Sequence, residues 1–356
     1  QLKLHKWFFI IVYFLSCNIY SQDISLYKQY NGRYDFLFIG NTLNSIENNN
    51  IKGLPEPPCV MLPYSSALLN LSPSDIIENA YLYWAGSGTG DFEVQLNDEK
   101  INAERKFSIY SHNGYPFFSA FTNITSFIKL NGNRNYTFSN LDISDIISYY
   151  CPFGGNFGGW AIVIVYKNDS LPLNQLNIYD GLQSVPDKIS VTLNSLNVID
   201  NQDAKIGFVA WEGDKNIAEG ESLFINGKLI DNPPLNPGNN AFNGTNSFLD
   251  TDNLYNMDLD VYNIQNNIKI GDSQVTVELT SDRDFVMVNA IVTKLNSQLP
   301  DATINIDNIN LKCDSNKINV TYTVSNLNST NPLPANTSIA IYANDTFINK
   351  VKTLNS

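Results

Sequence analysis

The chain is poor in histidine, cysteine and charged residues, and each shortage excludes a class of function. Of its 356 residues, two are histidine, four are cysteine and 16% are charged. Lys and Arg number 22 against 35 Asp and Glu, which gives a formal net charge of −13. Sequence-independent binding to nucleic acid requires clustered basic side chains, and docking on anionic lipid requires the same. The composition therefore predicts no nucleic-acid partner and no membrane-surface partner.

The scarcity of histidine also limits catalysis. Beyond the N-terminal segment, His112 is the single imidazole, and it lies in the turn-like sequence Ser111–Gly114. A Ser-His-Asp triad would have to use it, yet the strand-Gly-x-Ser-x-Gly-helix motif of that chemistry is absent. We predict that His112 is a solvated loop residue, that the chain has no catalytic residues, and that it is not an enzyme.

The few cysteines predict one disulfide. No cysteine lies in a CxxC pair or beside a histidine, so a zinc site is not expected. Once the N-terminal Cys17 is set aside, three cysteines remain, which in an oxidising compartment form one bond and leave one residue over. Cys59 and Cys151 fall in the same predicted domain, so we pair them; three free buried thiols are the alternative. Cys313 falls in a later module, and we expect its partner beyond the end of this chain.

The N-terminal segment has the order of a secretory signal. Two lysines precede the apolar stretch Trp7–Leu15, which is too short to span a bilayer, and small or polar residues follow up to residue 21. We predict a signal peptide over residues 1–21, and therefore a secreted, extracellular or cell-surface protein with no membrane insertion after signal removal. A buried strand, a retained anchor and lipidation at Cys17 are the alternatives. Because the chain begins with Gln, we expect a longer natural sequence.

Strand patterns dominate the rest of the chain. Trp160–Tyr166 is a continuous β-branched run, typical of a strand buried on both faces, and Gln274–Leu279 alternates as a half-buried strand does. Leu223–Ile230 places Asn-Gly between two apolar arms, the composition preferred for a type I′ hairpin. Short helical patterns occur at Ile124–Ile128 and Ile143–Ile147. The sequence predicts an all-β fold of packed antiparallel sheets, a jelly-roll-like β-sandwich.

A domain boundary is predicted near Gln298–Pro300. Before it, residues 22–298 form one large β-sandwich domain. After it, residues 300–356 contain several short strands split by a proline-rich turn. This pattern fits the first strands of an immunoglobulin-like sandwich, a fold of about 100 residues. We therefore predict an incomplete immunoglobulin-like module and a natural protein that continues beyond it.

Acidic residues supply the candidate ligand sites. Glu212 and Asp214 follow a predicted strand beside Trp211, an arrangement that would suit two glycosidase carboxylates and a sugar-stacking ring. A turn with solvated acids is the alternative. A second acidic segment has the oxygen-rich character of a calcium loop without the EF-hand order: Asp250, Asp252, Asp258 and Asp260. Hydrogen bonding within turns is the alternative there. We expect no obligatory cofactor, and calcium is the ion that these loops would hold.

Six short sequence segments follow one another in a familiar order: Ala80–Gly88, Phe118–Thr125, Gly158–Tyr166, Ile178–Leu182, Trp211–Asp214 and Asn240–Asn246. Together they resemble the N-terminal region of large secreted surface proteins of gliding, Flavobacterium-like Bacteroidetes, exported by the type IX system and described as gliding-motility-associated or adhesin-like. Residues 300–356 resemble a cell-adhesion-related immunoglobulin-like repeat. The resemblance implies a non-enzymatic cell-surface adhesion or structural module and provides no catalytic residues.

Other functions stay open beside that one. The chain would also suit a carbohydrate-binding module or a glycan-active enzyme that uses Glu212 and Asp214, or an extracellular matrix scaffold. Its partner would then be a glycan, a surface protein or a second copy of the scaffold. β-Sandwiches host all of these functions, so the fold class does not choose among them.

Overall fold

The computed structural model describes residues 23–49, 56–186, 188–194, 196, 198–296, 302–311, 318–326, 333–343 and 346–354. The predicted signal peptide, the predicted boundary near Gln298–Pro300 and Cys313 lie outside these residues. Within the described ranges, no helix has the length and apolar character needed to cross a membrane.

Short strands make up nearly all of the regular structure. The part before residue 168 contains, in chain order, β1 (Ser25–Gly32), β2 (Tyr34–Thr42), β3 (Tyr64–Leu68), β4 (Ile76–Ser87), β5 (Glu93–Leu96), β6 (Glu99–Asn102), β7 (Arg105–Tyr110), β8 (Pro116–Asn123), α1 (Thr125–Asn131), β9 (Asn135–Ser139), α2 (Ser144–Ile147) and β10 (Gly158–Lys167). The two helices occupy the two positions where the sequence predicts short helical turns.

The later part is built from strands alone in the residues described. They are β11 (Asn174–Ser184), β12 (Ile189–Asn194), β13 (Lys205–Trp211), β14 (Ser222–Ile225), β15 (Lys228–Ile230), β16 (Met257–Asn263), β17 (Gln274–Thr280), β18 (Met287–Asn296), β19 (Ala302–Leu311), β20 (Ile318–Asn326), β21 (Ser338–Ala343) and β22 (Thr346–Lys352).

The strands form two sandwiches that share one topology. In the first, strands β2-β10-β4-β8 form one sheet and β3-β9-β5-β6 the other. In the second, the corresponding sheets are β11-β18-β13-β16 and β12-β17-β14-β15. If each set is numbered from its own first strand, with the added edge strands β7, beside β8, and β1, beside β11, left out, both read 1-8-3-6 and 2-7-4-5. This is the eight-stranded jelly roll, so the predicted all-β, jelly-roll-like sandwich is confirmed, and the fold occurs twice.

Three hydrophobic cores lie between the four sheets. One core fills the first sandwich and contains Trp84 and Phe138, while another fills the second and contains Phe208 and Val277. The third core contains residues of both, including Phe38 on β2 together with Val209, Trp211 and Val292 on β13 and β18. The two jelly rolls therefore pack face to face through the sheets that contain β10 and β18.

Local sequence signals explain several of these elements. β10 lies between β2 and β4, and its residues 158–165 are all buried, as the apolar run predicts. β17 alternates between buried and less buried positions. β14 and β15 are joined by Asn226 and Gly227, whose φ angles of 51° and 72° fit the predicted type I′ turn. These three predictions are confirmed.

The predicted disulfide is present. Cys59 and Cys151 are bonded, with 5.6 Å between their Cα atoms. The bond joins the segment before β3 to the 3-10 turn Cys151–Phe153, and it closes a loop of 92 residues. Farther along the chain, β19 pairs with β20 and β21 with β22. The immunoglobulin-like assignment of residues 300–356 stays a prediction.

Candidate functional site

A cleft of about 570 Å³ lies at the junction of the two jelly rolls. The first jelly roll contributes Asn49, His112 and Phe153, and the second contributes Glu212, Asp214 and Asp284. Clefts of a few hundred Å³ between packed units are where ligands most often bind. We therefore take this cleft as the candidate site.

The register of the second jelly roll brings its acidic segments together. Trp211, the last residue of β13, pairs with Met257 at the start of β16 and with Met287 at the start of β18. The segments after β13, before β16 and before β18 consequently lie side by side at one end of the sheet. They contain Glu212, Asp214, Asn256 and Asp284.

A tight turn after β13 fixes the two carboxylates predicted from the sequence. Glu212 has a left-handed backbone (φ 67°), and its N–H donates to the Asn256 carbonyl at 2.8 Å. At Gly213, a β-carbon would come within 2.5 Å of the Phe242 carbonyl oxygen and 2.6 Å of Asp258 Oδ2. Only glycine fits there, and the chain can therefore pass close beneath Glu212 and Asp214.

Five carboxyl groups form a continuous cluster beneath the cleft, the acidic string: Glu47, Glu212, Asp214, Glu221 and Asp284. Four of them are almost fully buried, with exposures of 0% for Glu221, 3% for Asp284, 4% for Glu212 and 5% for Asp214. The Asp214 carboxyl is in hydrogen-bonding contact with those of Glu47 and Asp284, and Asp284 is in similar contact with Glu221. The alternative of solvated turn acids at Glu212 and Asp214 is therefore wrong.

Burial and mutual repulsion raise the pKa of every member of the acidic string. For Glu47, burial followed by the charge of Asp214 raises the pKa to about 9. Burial is also the largest cause for the other four, and a neighbouring carboxylate is the next. Carboxylates in contact cannot all ionise at neutral pH unless a cation compensates them.

Basic side chains do not supply that compensation. Lys215 pairs with Asp252 and Arg283 pairs with Glu219, although each is adjacent in sequence to a member of the acidic string. No ion pair within the described ranges involves the acidic string. The string is a concentration of acidic groups without a protein counter-ion among these residues.

Asn256 joins the two jelly rolls beneath the cleft. Its side chain is fully buried, and its Nδ2 lies 2.9 Å from Glu47 Oε1, 2.7 Å from Asn48 Oδ1 and 2.9 Å from Asp214 Oδ1. Its Oδ1 accepts from Asn44 Nδ2 and from the Asn48 N–H, both at 3.2 Å. The Nδ2 group has two hydrogens for these three acceptors, so both of its donors are used. The Asn256 side chain thereby links the loop after β2 to Asp214.

The four aspartates predicted as a calcium loop differ in burial: Asp250, Asp252, Asp258 and Asp260. The first two are exposed and the last two are fully buried. Asp258 Oδ1 accepts from the backbone N–H groups of residues 243–245, each at 2.9 Å. Asp260 Oδ1 accepts from the Ser247 N–H at 3.1 Å and from its hydroxyl at 2.6 Å. These two residues support a loop, which favours the turn alternative, and the calcium site stays a prediction.

Trp211 and His112, the other two residues considered for the site, differ in exposure. Trp211 is fully buried and its Nε1 donates to Asn289 Oδ1 at 3.1 Å, so its predicted role as a sugar-stacking ring is wrong. His112 is an exposed turn residue, as predicted, and it lines the cleft. The accessible ring is that of Phe153, which is 38% exposed and packs on Tyr115 with ring centroids 4.3 Å apart.

Sequence reasoning missed the residues that complete the cluster. Glu47, Glu221, Asn256 and Asp284 follow no motif, and their neighbours in the chain give no chemical signal. What they share is a position beside a strand end, since three of them precede β14, β16 and β18 and Glu47 follows β2. Such positions become informative only when the strand order is known.

The comparisons with known proteins do not identify a family for this chain. No family model and no curated protein matches the chain. Matching solved structures include a β-porphyranase of glycoside hydrolase family 86 from the human gut bacterium Bacteroides plebeius, with 13% identity over 79% of this chain and 37% of that one and a TM-score of 0.23. Another is BuGH86 in complex with neoagarooctaose, with 11% identity over 77% of this chain and 33% of that one and a TM-score of 0.22. This chain thus spans well under half of either, and TM-scores this low carry no argument.

The raised pKa values predict an unusual pH dependence of stability. A carboxyl whose pKa is higher in the folded state stabilises the protein below its unfolded pKa, and the contribution is lost as pH rises through the folded pKa. For Glu47 this window extends from about 4.5 to about 9. In metal-free buffer with chelator, the free energy of unfolding is therefore expected to be higher at pH 5 than at pH 8. Urea unfolding at both values measures it.

The matched variant for this experiment is Glu47→Gln. Removing this carboxyl should reduce the difference between the two pH values and stabilise the protein at pH 8. A wild-type protein that is more stable at pH 8 than at pH 5, in chelator, would contradict the assignment of raised pKa values to the acidic string.

Proposed function

We propose that residues 23–296 are the ligand-binding part of a secreted, non-enzymatic surface adhesion module, and that the cleft between the two jelly rolls binds a glycan. One observation carries the proposal: the cleft combines an accessible aromatic ring, Phe153, with carboxyl groups at its floor. Sugars present hydroxyl donors on their edges and apolar C–H groups on their faces, and this combination of groups complements both.

Charge narrows the class of glycan. The cleft floor holds Glu212, Asp214 and Asp284, and the chain has a net charge of −13. A sulfated or carboxylated polysaccharide would meet the net negative charge of the whole chain on approach. Arg283 lies at the cleft but pairs with Glu219, which leaves little positive charge for an anion. The ligand class is therefore a neutral glycan or one that contains amino sugars.

The contact between Asp214 and Asp284 argues against these two residues as a glycosidase pair. Glycosidases that retain configuration hold their two carboxyls about 5–5.5 Å apart, and inverting enzymes hold them about 6.5–9.5 Å apart, so that a sugar or a water fits between them. Asp214 and Asp284 are instead in hydrogen-bonding contact, and Asp284 Oδ2 also accepts from the Asp214 N–H at 3.1 Å. This pair leaves no room for a reacting sugar between its two carboxyls, and the hydrolysis assay below tests the pair Glu212 and Asp214.

Two further observations support the extracellular setting. The Cys59–Cys151 disulfide belongs to an oxidising compartment, and its formation agrees with the secretory signal predicted from the sequence. The order of the six sequence segments, which resembles that of gliding-motility-associated surface proteins, supports an adhesive role. A scaffold function, the third hypothesis, would give self-association without a glycan ligand.

Phe153→Ala is expected to weaken glycan binding by about tenfold or more, because a few aromatic residues commonly contribute most of the binding free energy of an interface. A glycan array with the full chain identifies the ligand, and titration calorimetry with that glycan compares the two proteins. Incubation of the bound glycan with the wild type tests for hydrolysis in parallel.

Tyr64→Ala is the matched control. Tyr64 is an exposed aromatic residue, 61% accessible, on β3 in the outer sheet, and it does not line the cleft. Its replacement should leave glycan affinity unchanged. Binding that is weakened equally by both variants, or release of reducing ends from the glycan, would overturn the proposal.

A further inference from the structure

We propose that the acidic string is a calcium site: Asp214, Asp284 and Glu221 bind the ion, which enters from the cleft past Glu212, with Glu47 closing the side that faces the first jelly roll. This inference does not rest on the proposed glycan function, although Asp214 and Asp284 belong to both sites. It also places calcium away from the aspartates that the sequence suggested, Asp250, Asp252, Asp258 and Asp260.

The decisive observation is an unpartnered oxygen at the inner end of the string. Glu221 is fully buried, and one of its carboxyl oxygens accepts from the Phe242 N–H. The other, Oε2, has no hydrogen-bond partner, although the same carboxyl is in contact with that of Asp284. A buried carboxylate oxygen without a donor costs free energy unless a cation satisfies it. A cation between Glu221 and Asp284 would do so.

A second unpartnered oxygen lies at the outer side. Glu47 Oε2 is buried and has no hydrogen-bond partner, while its Oε1 accepts from Asn256 at 2.9 Å. Asp214 lies between the two ends and is in contact with both Glu47 and Asp284. Of the three buried carboxyl oxygens without a partner in the described residues, two therefore belong to the acidic string; the third is Oδ2 of Asp258, whose charge acts on Glu221.

The rotamers of the acidic string do not direct three side chains at one ion position: within the described residues, no three Asp, Glu, His or Cys side chains form a ready metal-binding group. A bound calcium ion would replace the contact between Asp214 and Asp284, because rotation about the terminal torsions of these side chains can direct their oxygens to the ion. The backbone positions that bring them together are already set.

The donor chemistry selects calcium. All available ligands are oxygens, since no His or Cys belongs to the acidic string, and this argues against zinc. Calcium accepts six to eight oxygens in flexible geometry, whereas magnesium requires a near-ideal octahedron and keeps its waters. Irregularly arranged carboxylates fit the first description. Extracellular modules bind calcium with dissociation constants of about 10⁻⁴ to 10⁻³ M.

The site would join the two jelly rolls. Glu47 belongs to the loop after β2 of the first, while Asp214, Glu221 and Asp284 belong to the second. A bound ion would neutralise repulsion across this junction and hold the cleft floor in one arrangement. Calcium would then act as a structural ion of the double jelly roll, and its removal would loosen the junction first.

The test uses the full oxidised chain, stripped with chelator, and calcium alone as the probe. Titration calorimetry is expected to show saturable binding of about one ion per chain in the range of 10⁻⁴ to 10⁻³ M. Saturating calcium should raise the thermal midpoint by roughly 5 °C, and magnesium should not. Glu221→Gln and Asp284→Asn, which keep size and remove charge, should each weaken calcium binding at least tenfold. Asp250→Asn, at an exposed aspartate, should bind as the wild type does.

Three results would overturn the proposal. They are the absence of saturable calcium binding, equal stabilisation by magnesium, and unchanged calcium affinity in both Glu221→Gln and Asp284→Asn. If a variant fails to fold, terbium luminescence gives a second measurement, because buried Trp211 adjoins Glu212 and would sensitise an ion there. Loss of that emission in Trp211→Phe, with calcium affinity retained, supports the assignment, and persistent emission contradicts it.

Discussion

Replacing both Cys59 and Cys151 with serine is expected to lower the free energy of unfolding by about 4–5 kcal/mol. The bond closes a loop of 92 residues, and in the chain-entropy model a loop of this length removes much conformational freedom from the unfolded state. Cys59 is exposed and Cys151 is only partly buried, so serine leaves no large cavity. The loss should therefore arise almost entirely in the unfolded state. Guanidinium unfolding of the two proteins measures it.

The wild type unfolded in the presence of reductant is the internal control, since it lacks the same covalent link. Its stability should coincide with that of the double-serine variant, and both should show a larger dependence of stability on denaturant because their unfolded chains expand further. A loss below about 1 kcal/mol would contradict the loop-entropy account, given its dependence on the length of the closed loop.

Features of the fold that depend on neighbouring residues could be predicted from the sequence. The apolar run of β10, the alternation in β17 and the Asn226–Gly227 turn are each determined by a few consecutive side chains. The disulfide could also be predicted, because Cys59 and Cys151 are the two cysteines that fall within the same predicted domain. The structure confirms all of these, and they suffice to establish an all-β sandwich.

The duplication of the jelly roll could not be predicted in this way. Equivalent hairpins of the two copies turn through Asn97-Asp98 and through Asn226-Gly227, and all four residues have positive φ. The turn conformation is the shared property, and several residue pairs satisfy it. Strands that share only an alternating pattern likewise accept many different side chains. Two copies can therefore keep one topology with little visible repetition in sequence.

The candidate site shows the same division. Glu212 and Asp214 could be singled out because they follow a recognisable strand, but Glu47 is more than 160 residues away in the chain from the carboxyls that it contacts. Asp258 and Asp260 suggest a calcium loop in the sequence because acidic residues at alternate positions are typical of one. They lie on one face of β16, where their carboxylates accept hydrogen bonds from residues 243–247 instead.

Packing two jelly rolls face to face creates a polar problem at the ends of the shared sheets. The loops of both sandwiches meet there, and their polar groups are buried without a regular ladder to satisfy them. Asn256 resolves much of this problem, because it donates toward three oxygens and accepts two hydrogen bonds across the junction. The stability of the junction should therefore depend strongly on this one residue.

Asn256→Asp is expected to destabilise the metal-free protein by about 3–5 kcal/mol at pH 8, because it adds an uncompensated buried charge. The substitution keeps the shape of the side chain but replaces the donor Nδ2 with an oxygen, next to Glu47 Oε1 and Asp214 Oδ1, both 2.9 Å from that atom. Two former acceptors then face a third carboxylate. Urea unfolding in chelator at pH 8 measures the loss, and at pH 5 protonation should restore part of it.

Asn256→Gly separates the loss of the donor from the added charge. Glycine keeps the left-handed backbone at this position (φ 62°) and leaves the acceptors unsatisfied, which should cost about 1–3 kcal/mol. The aspartate variant should therefore be the less stable of the two at pH 8. Equal stability would show that lost hydrogen bonds, and not repulsion, dominate the junction. Excess calcium should reduce the deficit of the aspartate variant more than that of the glycine variant, because only the former offers the ion an additional carboxylate.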